Sequence, residues 1–187
     1  MLHTVEEARR IYNPVQKDYA AYIKTAEETY GEFSLLEVEL APDGGNALHR
    51  HVDFTEEFEV LDGVLNVQIG KEHRELKTGE TALVPRNVPH RFYNASGDTV
   101  HFVVELRPGH TGFEHALAIA YGMAADGAMN AAGQPKNILE LAYLVSLSGT
   151  HLTGALRLLE PLFGLLARIA RRRGVDDRLA ERYLGPF

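Results

Sequence analysis

His49-Arg50-His51-Val52-Asp53-Phe54-Thr55-Glu56 is the stretch whose reading decides the fold. Side chains on a β-strand repeat every two residues, so a strand through His49 and His51 aims two imidazoles at one point. Glu56, five residues beyond His51, can return on the same or the neighbouring strand to meet them. A second segment, Gly79-Glu80-Thr81-Ala82-Leu83-Val84-Pro85-Arg86-Asn87-Val88-Pro89-His90, brings a third imidazole ahead of Asn94. Three neutral ring nitrogens and one carboxylate oxygen form a ligand set for one divalent transition metal.

Outward from these segments the chain reads as short strands. In residues 33–40, Leu36, Val38 and Leu40 alternate with Glu37 and Glu39, the pattern of a strand with one wet face. Pro42-Asp43-Gly44-Gly45 breaks it. Strands are expected over 20–25, 47–51, 57–61, 64–69, 73–76, 81–84, 90–93 and 100–106. Asp62-Gly63 is a hairpin signal and Gly70-Lys71 a further turn. Many short strands at close spacing predict a mainly β domain, an antiparallel barrel or jelly roll.

After Pro108 the periodicity changes. Residues 114–124, 138–147 and 152–173 have helical spacing. Leu156, Leu159, Phe163, Leu166 and Ile169 make one apolar stripe, expected to pack on the barrel or on a second subunit. Arg171-Arg172-Arg173 before Gly174 suits a helix end. The segment from Gly122 to Gly133 is the expected flexible connection. The chain therefore divides into a β-barrel domain, 1–109, and a C-terminal α-helical extension, 110–187.

These residues resemble the two motifs of the cupin superfamily. The first pairs HxH with a Glu after four intervening residues and a Gly after six more; here it is His49, His51, Glu56 and Gly63. The second is read here as Gly79, Pro85, Asn87, His90 and Asn94, with Asn87 standing where the family has Gly. Asn is the next most tolerant residue of a left-handed backbone, so the change is mild. Asp43 stands at the opening Gly position of the first motif, beside Gly44 and Gly45. The resemblance covers about residues 33–107. It implies a cupin-type antiparallel β-barrel in which His49, His51, Glu56 and His90 hold one divalent metal: iron, manganese, nickel, zinc or copper. Two coordination positions would stay open for water, substrate or dioxygen.

Other residues carry weaker signals. Phe92 shares a strand face with His90 and lines either the cavity or the core. Tyr93, His101 and Glu105 could supply acid or base groups if their strands point them inward; for Glu105 an exterior position is favoured. His3, His73, His110, His115 and His151 lack partners at ligand spacing and read as surface or packing residues. No catalytic acid, base or nucleophile is assigned.

Bulk properties exclude several classes. The net charge of -7 argues against a nucleic-acid surface and against anionic membranes. Cysteine is absent, so disulfides, thiolate metal sites and cysteine nucleophiles are impossible. Residues 152–170 are apolar but interrupted by Arg157, Glu160, Pro161 and Arg168, which argues against a membrane span. The first residues lack the basic and apolar regions of a signal peptide, so a cytoplasmic location is expected. No GxSxG elbow, P-loop, GxGxxG or HExxH is present. The expected function is a metal-dependent oxygenase of a small organic molecule, working as a homodimer. A metal-dependent isomerase or lyase and a non-catalytic binding module are the alternatives. A metal-free sugar epimerase conflicts with the intact ligand set.

Overall fold

The alternation of residues 34–40 decides the layering of the molecule. The computed structural model describes residues 10–185. The strands are β1 Arg10–Asn13, β2 Asp18–Lys24, β3 Ser34–Leu40, β4 Arg50–His51, β5 Thr55–Asp62, β6 Val64–Ile69, β7 Glu72–Lys77, β8 Thr81–Val84, β9 His90–Tyr93 and β10 Val100–Arg107. Then come α1 Thr111–Ala125, α2 Ile138–Leu147, β11 Thr150–His151, a 3-10 turn Gly154–Leu159, α3 Glu160–Arg172 and α4 Val175–Tyr183.

A six-stranded sheet runs in the order β1-β2-β3-β10-β5-β8, and a three-stranded sheet in the order β7-β6-β9. All their pairings are antiparallel. Both sheets feed one core, with Phe58, Val60 and Phe102 from the first meeting Leu65, Val67 and Phe92 from the second. This is the expected mainly β, jelly-roll architecture followed by helices.

The inner face of the large sheet is laid out in rows by register. Glu56 pairs Leu106, which pairs Ser34; Phe58 pairs Val104, then Leu36, then Tyr22. Val60 pairs Phe102, then Val38, then Ala20; Val100 pairs Leu40, then Asp18. Strand side chains alternate, so all of these point to one side. A polar group, Glu56, therefore begins the inner face at one corner and Asp18 ends it at the diagonal corner, with apolar rows between.

Asp62-Gly63 is not a hairpin. β5 pairs β10 and β8, whereas β6 pairs β7 and β9, so the chain turns a corner between sheets there. Gly63, at φ 89°, provides the left-handed step. Gly70-Lys71 does close a hairpin, joining Ile69 to its partner Glu72.

The helices are tied to the sheet through buried polar bonds. Glu114 in the first turn of α1 accepts from the Ala26 amide and the Ser34 hydroxyl, each at 2.6 Å. Its own backbone carbonyl accepts from the Tyr22 hydroxyl at 2.8 Å. Gly122 lies within α1 rather than in a connection, and its missing side chain leaves room for the Tyr183 ring. A second apolar cluster joins α1, α2, α3 and α4 through Ile119, Met123, Leu144, Ala170 and Leu179. The stripe expected to pack is only partly covered. On α3 the buried residues are Ala167 and Ala170, whereas Leu156 and Leu159 are exposed, as are Leu158, Leu162 and Leu165. Small residues let α3 approach its helical neighbours closely and turn the leucines outward.

Candidate metal centre

Backbone pairing builds the site before any side chain is considered. His49 and His90 form an isolated antiparallel bridge, with amide-to-carbonyl bonds of 3.0 and 2.7 Å in the two directions. His51 is held by β4 pairing with Thr150 of β11, and its carbonyl accepts from the Asn87 amide at 2.5 Å. Glu56 is the second residue of β5. The four side chains each place a ligand atom within 4.8 Å of all the others. Ring centroids of His49 lie 4.7 Å from His51 and 4.3 Å from His90. The four residues predicted from sequence are thus brought together.

The donor atoms suit a cation. His49 Nδ1 donates to the Ala47 carbonyl at 2.8 Å and His90 Nδ1 to the Val88 carbonyl at 2.9 Å. A carbonyl can only accept, so each Nδ1 carries its proton and the Nε2 lone pair is the one presented when the ring is neutral. His90 Nε2 lies 2.6 Å from Glu56 Oε2, and His51 Nε2 lies 3.8 Å from Glu56 Oε1. His51 is 2% exposed, yet neither of its ring nitrogens has a hydrogen-bond partner. Buried polar atoms without partners are rare and costly. A cation at the centre of the cluster would supply what His51 lacks, so the residues present fit a divalent metal.

The electrostatics point the same way. Burial, with His90 and His51 beside it, pushes His49 down to about 3. Burial pushes His51 down to about 4 against the pull of Glu56. Burial would raise Glu56, but His51 and His90 outweigh it and hold the carboxyl at about 2. Burial acts to lower His90, but the hydrogen bond and charge of Glu56 overcome it and keep its pKa above the ordinary range. His49 and His51 are thus held neutral beside an ionised Glu56, as a metal needs, while Glu56 favours the charged form of His90, whose proton metal binding would displace.

The cluster opens on a cavity of about 510 Å³ whose wall includes His49 and Glu56. Most of that wall is apolar, with Phe58, Phe92, Val104, Phe113 and Leu117 among the lining residues. The size falls within the range of small-molecule sites.

A family model described as "Cupin domain" matches residues 36–114, which contain all four clustered residues. This segment is similar to a cupin domain. No curated protein sequence matches the chain. Among solved structures, a sugar phosphate isomerase of the cupin superfamily from Silicibacter pomeroyi is 18% identical. That match has a TM-score of 0.48 and covers 57% of this chain and 73% of that one. A predicted oxalate decarboxylase from Thermotoga maritima is 16% identical, with a TM-score of 0.47, over 49% of this chain and 80% of that one. A structure of oxalate oxidase is 27% identical, with a TM-score of 0.43, over 50% of this chain and 54% of that one.

The departures from the cupin motifs are accommodated in the backbone. Asn87 and Asp43, which stand at glycine positions, adopt φ of 65° and 59°. Both lie in the left-handed region that Asn and Asp tolerate better than other non-glycine residues. Asn94 is buried and structural: its amide nitrogen donates to the Leu40 and Asp98 carbonyls, and its oxygen accepts from the Ser96 amide.

Phe92 is both core and cavity wall. His101 and Glu105 alternate with the buried residues of β10 and lie on its outer face, where Glu105 bonds Arg107 at 2.6 Å. Tyr93 is half-buried, with the Arg91 guanidinium 5.2 Å over its ring. His73 is exposed and His115 is half-buried. His110 caps α1 by accepting from the Phe113 amide at 2.8 Å. His3 lies outside the described residues.

Two features of the site were missed by sequence reasoning. Arg50, between two of the clustered histidines, points away from them and is 3% exposed. Its guanidinium donates to Asn87 Oδ1 and Glu160 Oε1, each at 2.5 Å, and to the Leu152 carbonyl at 3.0 Å. His151 lies 3.4 Å from the same Glu160 oxygen. The start of α3 is thereby fastened to the back of the histidine strand. Phe113 of α1 meets the His51 ring edge-on at 5.5 Å. Only the alternation of His49, Arg50 and His51 hinted at the first contact, and nothing local hinted at the second.

Proposed function

We propose that His49, His51, Glu56 and His90 bind one divalent transition metal and that the protein is a metal-dependent oxygenase of a small organic molecule. The observation that carries this reading is the convergence of four ligand atoms within 4.8 Å on the wall of an apolar cavity. Bound there, iron or manganese would supply Lewis-acid and one-electron chemistry with coordination positions left for exogenous ligands.

The protein's own residues have definite tasks. Ala47 and Val88 carbonyls fix the ring orientation of His49 and His90, which holds each Nε2 toward the shared centre. Glu56 and His90 Nε2, now bonded to each other at 2.6 Å, would both hold the cation, which requires that nitrogen to be unprotonated. Phe58, Phe92 and Phe113 exclude bulk water from the reacting end. The proposal includes a cytoplasmic homodimer joined through the exposed leucines of the 3-10 turn and α3.

Elemental analysis of protein purified without chelator tests the ligand assignment. One equivalent of metal is expected in the wild type, with His49→Ala and His90→Ala depleted at least tenfold and still folded. Undiminished metal in both variants contradicts it. Oxygen uptake with iron or manganese supports the oxygenase; turnover with zinc and no uptake supports the isomerase or lyase instead.

A further inference from the structure

The corner diagonal to the metal cluster holds a second polar device. Asp18, first residue of β2, is fully buried on the inner face of the large sheet. Its Oδ2 accepts from the Tyr121 hydroxyl at 2.6 Å, and its Oδ1 has no partner. Tyr121 comes from α1 and lines the same cavity as His49 and Glu56. Phe113, Leu117 and Tyr121 are spaced four residues apart on one face of α1 and all line that cavity. Phe113 touches His51, so α1 runs from the metal end of the cavity to the Asp18 end, a span of about 12 Å over eight residues. The rows between, Phe58–Val104–Leu36 and Val38–Ala20, offer nothing polar. The remaining polar lining groups are Gln16, Asn46, Gln134 and Thr150; Asn46 already accepts from the Phe92 amide at 2.9 Å, Gln134 is exposed, and Gln16 and Thr150 are half-buried, whereas Tyr121 is buried.

We propose that the Tyr121 hydroxyl, positioned by Asp18, is a second recognition point, and that the ligand is an elongated, mostly apolar molecule with an oxygen-donor head at the histidine cluster, for which a carboxylate serves as probe, and a hydroxyl at its far end. A hydroxyl suits both proton arrangements of the pair. With Asp18 ionised, Tyr121 donates to it and its oxygen accepts from the ligand; with Asp18 protonated, Asp18 donates to Tyr121 and the phenol proton turns to the ligand. Burial pushes Asp18 up to about 7 against the bond from Tyr121, so both arrangements are within reach near neutrality. Tyr121 is a binding residue and Asp18 a positioning residue. The head-group half of this inference rests on the proposed metal site; the far-end half does not.

The test compares octanoate with 8-hydroxyoctanoate by calorimetry on the nickel-loaded full chain. The terminal hydroxyl is expected to tighten binding about fivefold in the wild type, as one neutral hydrogen bond would. Tyr121→Phe is expected to abolish that preference, so that the two acids bind with equal affinity. Asp18→Asn, whose amide oxygen still accepts from Tyr121, is expected to keep part of it. Should Tyr121→Phe fold poorly, the paired variant Asp18→Leu with Tyr121→Phe makes the corner apolar and gives the same reading. Equal affinity for the two acids in the wild type, binding of neither, or a preference that survives both Tyr121 variants overturns the proposal. Nickel content is read separately: its absence from the wild type sinks the metal site, whereas full nickel content without a hydroxyl preference sinks only the second recognition point.

Discussion

Glu56 and Asp18 are both buried carboxyls on the inner face of one sheet, yet their environments drive them in opposite directions. Glu56 is held at about 2 because three imidazoles surround it. Asp18 is raised to about 7 because burial outweighs the single hydrogen bond from the Tyr121 phenol. Burial alone therefore decides nothing; compensation does. A corner that stabilises an ionised carboxylate among clustered imidazoles is arranged for a cation. A corner that favours a protonated carboxyl is arranged for hydrogen bonding.

The largest test removes the wall between the corners. Phe58 is 1% exposed and lies in the row next to Glu56. Phe58→Ala is expected to lower stability by about 3–5 kcal/mol in urea unfolding. Metal content should be unchanged, because the ligands are fixed by the His49–His90 bridge and by β4–β11 pairing. Loss of metal along with stability would show that the corners are not independent.

Next in size is the pH dependence of the metal-free protein, where the corners carry opposite signs. Asp18 titrates near 3.8 unfolded and about 7 folded, so the folded state holds the extra proton and stability falls as pH rises through that window. His49 and His51 titrate near 6.5 unfolded and at about 3 and 4 folded. The unfolded state holds those extra protons, so stability rises with pH from about 4 to 6.5. Asp18→Asn should gain about 4 kcal/mol relative to wild type between pH 4 and pH 8. His51→Asn should lose stability relative to wild type over pH 4 to 6.5. Chemical denaturation at several pH values reads both; the same sign for the two variants would break the comparison.

The smallest effect lies behind the histidine strand. Asn87→Gly relieves a left-handed backbone but deletes the bond from Arg50, so the net change should be within about 1 kcal/mol. Asn87→Ala, which keeps the strain and loses the bond, should cost more. Equal thermal midpoints for the two variants would show that neither effect matters there.

Local chemistry in the sequence predicted much of this molecule. Alternation located 64–69, 81–84 and 90–93 to the residue, and the helix over 138–147. The four clustered residues were readable because strand periodicity and side-chain type are both local properties. Pairing is not local: Asp62-Gly63 advertises a turn but cannot say which strands it joins. β1 and α4 passed unnoticed, the first being four residues long with no alternation to read. The outward turn of Leu156 and Leu159 depends on Ala167 and Ala170 finding helical neighbours. The Asp18–Tyr121 pair links positions 103 residues apart and leaves no trace in either segment.

X-ray absorption at the cobalt edge of cobalt(II)-loaded protein tests the metal centre most directly. The account predicts a first shell of nitrogen and oxygen with the outer-shell scattering of three imidazole rings, reduced to two in His51→Ala. A shell of oxygen alone, or three rings retained in that variant, would contradict it.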